Sequence, residues 1–187
     1  MPKNKPKKIA IAGLVYTLLF AGAGAGIIDR DDNPKCGGVE RWEEKVMIDE
    51  AVDEVNADPV VMTIKQLNDI STKDILIKGD TPRQEIEKQV YTVKDCFITH
   101  AVLEDDNDIH IVIEDGQGGH MIAEIPDPKC PDAKKSQFRK DFTQAQKTFL
   151  KYQNVYNNYR FDITGVLFID KKHAKNPTGN AKNNVEL

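Results

Sequence analysis

The sequence lacks the features that mark several common classes of protein. Basic residues are not in excess, because 26 Lys and Arg stand against 30 Asp and Glu in 187 residues. The net charge of −4 and the pI of about 5.6 argue against a nonspecific nucleic-acid-binding protein, which normally presents a basic face. There is also no Walker motif, no GxGxxG sequence after a strand, no nucleophilic serine elbow and no HExxH motif.

Cysteine is scarce, with Cys36, Cys96 and Cys130 as its only occurrences. In an oxidising compartment we expect one disulfide and one thiol left over, and three pairings are open. Cys36 and Cys130 lie in loop-like segments flanked by Pro and Gly, whereas Cys96 lies in the middle of a predicted strand. We therefore favour a structural disulfide between Cys36 and Cys130.

The N-terminus has the pattern of an export segment. A basic start at Met1–Lys8 precedes an apolar run at Ile9–Phe20 and alternating small residues at Ala21–Gly26. This order is typical of a cleaved secretory signal over residues 1–26. The alternative is an uncleaved anchor, since residues 9–28 are uncharged and about long enough to cross a bilayer. Either reading places the domain outside the cytoplasm, as a periplasmic, secreted or membrane-anchored protein.

Three strands are predicted between Tyr91 and Asp127. Isoleucine alternates with other residues over 109–113, and the Gly-rich run Asp115–Gly119 supplies a three-residue hairpin loop. The register that pairs Ile113 with Met121 makes every inward pair apolar. A slip of one residue would bury His120 and Glu124 among the isoleucines, so the cost of burying polar groups selects this register.

The same register predicts a set of outward-facing residues. Its cross-strand pairs are Glu114 with His120, Val112 with Ile122 and His110 with Glu124. The acidic loop over 104–108 then places Val102 opposite His110, with His100 diagonally beside it and Asp108 at the edge. The residues of this candidate ligand face are His100, Asp108, His110, Val112, Glu114, His120, Ile122 and Glu124.

Two kinds of chemistry fit this face. Imidazole and carboxylate groups are ligands for zinc and similar divalent cations, which makes His110 and Glu124 a candidate metal or acid–base site. The other interpretation is a row of His–carboxylate pairs on a sheet face open to water, each modestly stabilising. Binding of a polymer across the face has weaker support, because aromatic and arginine residues are missing there and only the loop over 171–184 is lysine-rich.

The remaining elements suggest an architecture. Aromatic and alanine residues recur at helical spacing over Ser136–Gln153, with Ser136 as the expected N-cap. Strands are expected at Tyr159–Asp170 and at Val185–Leu187. A short helix is expected to begin after Thr63, which would be its N-cap. The order β-β-β-α-β-β predicts a mainly β (α+β) domain that forms an OB-like Greek-key barrel over residues 63–187, with a linker and acidic segment over 27–62. A plain β-meander packed on one helix is the alternative.

Four segments resemble a family of small exported bacterial proteins of uncharacterised activity. They are CGGVERWEEK (36–45), EDDNDIHIVIED (104–115), MIAEIPDPKC (121–130) and NVEL (184–187). Such sequences usually continue past the last segment into a final strand, so the last strand here is expected to be short or truncated. The resemblance implies export but no activity.

These observations lead to one functional expectation and one alternative. The protein is expected to be an exported binding or interaction domain for a small ligand, a polymer or a protein, with membrane contact only through residues 9–28 if they are retained. The alternative is a metal-dependent hydrolase, for example of phosphodiesters, that uses a divalent cation at His110 and Glu124.

Overall fold

The computed structural model describes residues 7–11, 35–37, 41–171 and 181–187, and the protein is mainly β with one long helix. The strands are β1 (Lys7–Ile11), β2 (Asn56–Val61), β3 (Gln89–Leu103), β4 (Ile109–Glu114), β5 (His120–Ile125), β6 (Tyr159–Val166), β7 (Phe168–Ile169) and β8 (Val185–Glu186). The α-helices are α1 (Trp42–Lys45), α2 (Ile64–Asn68) and α3 (Arg139–Tyr152). Short 3-10 helices occur at Val52–Glu54, Glu85–Lys88 and Tyr156–Asn158. Within these ranges no helix combines the length and the apolar character needed to span a bilayer.

The strands form a mixed sheet around β3. Its order is β1-β6-β3-β4-β5, and β2 also pairs with β3. β1 runs parallel to β6 and β2 parallel to β3, whereas the pairs β3–β4, β3–β6 and β4–β5 are antiparallel. β7 and β8 form a separate antiparallel pair. The predicted mainly β class with one packed helix is confirmed.

β3 serves two sets of neighbours because it bends. The strand has 15 residues, and its pairing shifts between Val93 and Cys96 and again between Ile98 and His100. At the first shift Asp95 has a φ of 59°, and its backbone N–H donates to Asp162 on β6. Such bulges increase the local bend and twist of a strand. The first part of β3 can therefore pair with β2 and β6 while the last part pairs with β4.

The hairpin of β4 and β5 has the predicted register throughout. Ile113 pairs with Met121 and His110 with Glu124. Gly116 and Gly118 have φ of 75° and 95°, the left-handed conformation that the short loop requires. Ile113 and Met121 are buried in the main core, so the hydrophobic pattern selected the register as expected.

Helix α3 follows β5 and packs its apolar face on the sheet. Phe149 is buried in the core, and Ala145 and Tyr152 pack against it. The predicted N-cap at Ser136 is wrong, because Phe138 takes that position and Ser136 is buried with its hydroxyl bonded to the carbonyl of Met47. Thr63 does cap its helix, and with Gln66 it forms a capping box.

The last residues of the chain lie along the edge of β5. The N–H of Glu124 donates to the carbonyl of Leu187, and the N–H of Leu187 donates to the carbonyl of Ile122. The Leu187 side chain comes so close to Gly165 that a Cβ atom at Gly165 would lie 3.3 Å from it. Glycine at this position thus lets the C-terminal segment approach β6.

Much of the acidic segment is part of the folded structure. Residues 41–62 supply α1 and β2, and Val46 is fully buried. Cys36 and Cys130 form the favoured disulfide, across a sequence separation of 94 residues, and Cys96 is a buried free thiol. Of the predicted export segment only residues 7–11 are described, as β1, and the rest lies outside the described residues.

Candidate functional site

The face that carries His110 and Glu124 is covered, which corrects the expectation of a sheet face open to water. His110 is 8% exposed, Val112 3% and Ile122 0%. His110 and Glu124 do lie on the same side of the sheet, as neighbours across β4 and β5. The apolar pair therefore belongs to the interior, and the two polar residues lie in a mostly buried corner.

Three other residues of the predicted face lie apart from this corner. His100 is exposed and pairs with Val112, and His120 is exposed and pairs with Glu114 at the hairpin end. Among the described residues, neither His100, His120 nor Glu114 joins the group of metal-ligating side chains around His110. Most of the lysine-rich loop over 171–184 lies outside the described residues.

Asp108 is not an open edge residue but a buried member of an ion-pair network. Its side chain is 0% exposed and lies 2.9 Å from the ammonium group of Lys45. The same ammonium group is 2.8 Å from Glu124 and 3.2 Å from Asp106. Lys45 at the end of α1 thus holds three carboxylates together, and it is the cation that the sequence analysis missed.

The electrostatics of this corner follow from burial and mutual attraction. Burial raises the pKa of Asp108 to about 7, against the attraction of Lys45. Burial would also raise the pKa of Glu124, but hydrogen bonding to His110 and attraction by Lys45 outweigh it and lower that pKa to about 2. The hydrogen bond to Glu124 raises the pKa of His110 above its ordinary value. The corner therefore keeps Glu124 ionised.

The acidic loop adds a third ligand to the predicted pair. Glu104 Oε1 lies 3.4 Å from His110 Nδ1, and Glu124 Oε1 lies 3.4 Å from the same nitrogen. Ligand atoms of Glu104, His110 and Glu124 all lie within 4.8 Å of one another. The Glu104 side chain is 39% exposed, so the group opens to solvent at that side.

A cavity of about 410 Å³ lies next to this corner, between the sheet and α3. It falls within the range of ordinary small-molecule sites and has mostly apolar walls. β4 and β5 contribute Ile111 and Ala123, and α3 contributes Phe142 and Ala145. The charged residues in its wall are Glu44, Lys45, Asp58, Arg83, Glu124, Asp141 and Glu186.

Glu186 is the unusual group in the cavity wall. The residue is 5% exposed, and its carboxyl group has no hydrogen bond or ion pair to any described residue. Burial, reinforced by the negative charge of Glu124 and Asp170, raises its pKa well above the ordinary value. A carboxyl group that lines a mostly apolar cavity with no partner among the described residues is costly when ionised, which marks this position for a function.

No family model matches the chain, and no curated protein or solved structure matches it.

Sequence reasoning found only part of the candidate site. It placed His110 and Glu124 together because their strands are adjacent, and it missed Lys45, Glu104 and Glu186. The run Val185–Leu187 is too short for an alternating pattern to show that the Glu186 side chain is buried. The acidic loop over 104–108 was evident in the sequence, but it holds several carboxylates, and the sequence does not show that Glu104 is the one that lies next to His110.

Proposed function

We propose that the protein is an exported binding domain that takes a small, largely apolar amine into the cavity between its sheet and α3. The observation that carries this proposal is the Glu186 carboxyl group, which has no partner among the described residues and lies in a mostly apolar wall. An ammonium group placed beside Glu186 would give that carboxyl group an ion pair in a region where water is excluded.

The charges of the wall favour an amine over an acid. Of the described residues, two cations lie in the wall, and both are already engaged, Lys45 with Glu124, Asp108 and Asp106, and Arg83 with Asp49. Carboxyl groups of the wall remain available to a ligand. Besides Glu186, Asp141 has no ion pair within the described part of the chain, and burial raises its pKa. A ligand carboxylate or phosphate would therefore meet repulsion, and a ligand cation would meet attraction.

The strand connections support an OB-like barrel as the frame of this cavity. β3 pairs with β4 and β6, β4 pairs with β5, and β7 pairs with β8. The two hydrogen bonds between Leu187 and β5 bring the C-terminal residues next to β5, where such a ring would need a strand. α3 lies between the third and fourth strands of this order, where the helix of an OB-fold stands.

Export is supported by the basic and apolar N-terminal pattern and by the Cys36–Cys130 disulfide, because disulfides persist in oxidising compartments. N-terminal sequencing of protein recovered from outside the cytoplasm tests it. A new N-terminus near residues 23–26 is expected for a cleaved signal. Protein confined to the cytoplasm would contradict export, and the intact N-terminus on membranes would favour the anchor.

Three probes of equal chain length test the ligand. Hexylamine, hexanol and hexanoate are titrated at neutral pH while the methyl NMR signals of Ile111, Ile163 and Leu167 in the cavity wall are followed. Hexylamine is expected to shift these signals at the lowest concentration and hexanoate at the highest. Equal binding of all three would contradict the role of Glu186, and shifts confined to the outer surface would contradict the cavity.

Variants locate the binding. Glu186→Gln is expected to weaken hexylamine roughly tenfold or more, since the ion pair is lost, and to leave hexanol nearly unchanged. Ala145→Leu should weaken all probes by filling the cavity. Glu114→Gln is the matched control, because Glu114 lies on β4 but does not line the cavity. Loss of binding in that control would move the site to the hairpin face.

The metal-dependent hydrolase stays a prediction. It requires a cation at His110 and Glu124 with a free coordination position for an activated water, together with a phosphodiester bound beside it.

A further inference from the structure

Three side chains from different parts of the hairpin converge beside the cavity. Glu104 comes from the loop after β3, His110 from β4 and Glu124 from β5. Their ligand atoms lie within 4.8 Å of one another. Of these residues only Glu124 also lines the cavity, so the group is a distinct feature.

The one hydrogen bond that His110 makes within this group, to Glu124, is long. His110 Nδ1 is 3.4 Å from Glu104 Oε1 and 3.4 Å from Glu124 Oε1. Good N–H···O hydrogen bonds span about 2.7–3.2 Å, and one N–H cannot point at both oxygens at once. His110 therefore stands at equal distance from two carboxylates, with a long hydrogen bond to Glu124.

The same distances suit a shared cation. Zinc binds nitrogen and oxygen ligands at about 2.0–2.2 Å, so neighbouring ligands of a tetrahedral ion are about 3.3–3.6 Å apart. Both separations of 3.4 Å from His110 fall in that interval. The third separation, between the Glu104 and Glu124 oxygens, is no more than 4.8 Å, and the Glu104 side chain, which is 39% exposed, can turn to shorten it.

The surroundings complete the arrangement of a metal site. Lys45 Nζ lies 2.8 Å from Glu124 Oε2, which leaves Oε1 directed to His110. Such a partner on the second oxygen fixes the orientation of a ligating carboxylate. The exposed side of Glu104 gives an ion access from solvent and leaves a fourth position for water.

We propose that Glu104, His110 and Glu124 bind one divalent cation of the zinc type through Oε1, Nδ1 and Oε1. The nitrogen ligand separates this class from calcium and magnesium, which take oxygen ligands. The site is independent of the amine in the cavity, and it goes beyond the binding function.

Metal binding is tested on untagged protein with its disulfide intact. Isothermal titration with Zn²⁺ is expected to give one ion per chain, and Ca²⁺ and Mg²⁺ are expected to bind at least roughly tenfold more weakly. Co²⁺ should give the intense visible absorption of a four-coordinate ion, and Zn²⁺ should shift the imidazole NMR signals of His110. Absence of Zn²⁺ binding, or equal binding of Ca²⁺, would overturn the proposal.

Matched variants assign the ligands. His110→Gln and Glu104→Gln should each weaken Zn²⁺ by roughly tenfold or more. His120→Gln is the control, because this exposed histidine on β5 lies outside the group. Unfolding midpoints in urea verify that the variants fold, and Glu104→Gln, on an exposed side chain, keeps the test valid if His110→Gln does not. Zn²⁺ affinity that is unaffected by Glu104→Gln and His110→Gln, or that falls only in His120→Gln, would refute the assignment.

The two proposals fail separately. Hexylamine binding should persist in Glu104→Gln, and Zn²⁺ binding should persist in Glu186→Gln. If the protein binds only one of the two probes, hexylamine or Zn²⁺, the proposal for the other site is the one that fails.

Discussion

Arg41 and Glu87 form a fully buried two-point ion pair. Nη2 of Arg41 is 2.6 Å from one oxygen of Glu87, Nη1 is 2.8 Å from the other, and both side chains are 0% exposed. Glu87 also accepts the N–H of Ile169, and Arg41 donates to the carbonyl of the same residue. This pair fastens the start of α1 to β7, so the acidic N-terminal segment is part of the folded domain.

Breaking the pair should cost stability. Glu87→Gln leaves the guanidinium group buried without a counter-charge, and we expect the free energy of unfolding to fall by about 3–5 kcal/mol. Urea unfolding measures it. Glu85→Gln, whose side chain is 88% exposed, is the control and should change little. Similar losses of stability in the two variants would show that the buried pair stabilises the protein no more than an exposed one.

Removing the disulfide should also destabilise the fold. The Cys36–Cys130 link spans 94 residues, and the double variant Cys36→Ala/Cys130→Ala should lose about 4–5 kcal/mol by the loop-entropy argument. The fluorescence of Trp42, the only tryptophan, reports this region because its indole donates to Asp132. A reductant should destabilise the wild type but not the variant, and the reverse result would contradict the structural role.

The buried thiol predicts a loss of stability in alkaline solution. Burial raises the pKa of Cys96 to about 12, whereas an unfolded thiol ionises near 8.5. The contribution of this raised pKa is complete below about 8.5 and is lost as pH rises toward 12, because only the unfolded state releases the proton. Between pH 7.5 and 9.5 the wild type should lose roughly 1.4 kcal/mol relative to Cys96→Ala. A pH-independent difference in urea unfolding would disprove it.

Lys45→Met should destabilise the protein in a pH-dependent way. Removing the ammonium group leaves Asp106, Asp108 and Glu124 together, and we expect a loss of about 3–5 kcal/mol at pH 7.5. The pKa of buried Asp108 is already raised to about 7, and it rises further without Lys45. The stability of the variant therefore falls as pH rises through these raised pKa values, and the loss should be smaller at pH 5.

The control for that variant is Lys65→Met. The Lys65 side chain is 77% exposed and, within the described part of the chain, pairs only with Asp69, so its removal should cost well under 1 kcal/mol at either pH. Urea unfolding at both pH values distinguishes the two. If Lys45→Met loses the same amount at pH 5 and 7.5, the carboxylates do not take up protons as expected.

The sequence predicted the β4–β5 hairpin in detail because a local rule decides its register. A slip would have buried His120 and Glu124, so alternation alone identified the pairs. The position of Lys45 and Arg41 could not be predicted, since long-range ion pairs depend on where α1 docks. The burial of Val112 and Ile122 was missed for the same reason, because a strand pattern shows its two faces but not what later covers them.

Because β3 pairs with β4 on one part and with β6 on another, it joins a part of the fold that we expect to form early to a part that forms later. The β3–β4–β5 meander closes through contacts near in sequence, whereas α3, β6 and β8 join it through distant ones, which form more slowly. The proposed cation group lies wholly within the meander, and the amine cavity needs the later elements for its walls. Transient release of those elements would let a guest enter the interior while the cation stays in place, and hydrogen exchange should be faster there than in β4.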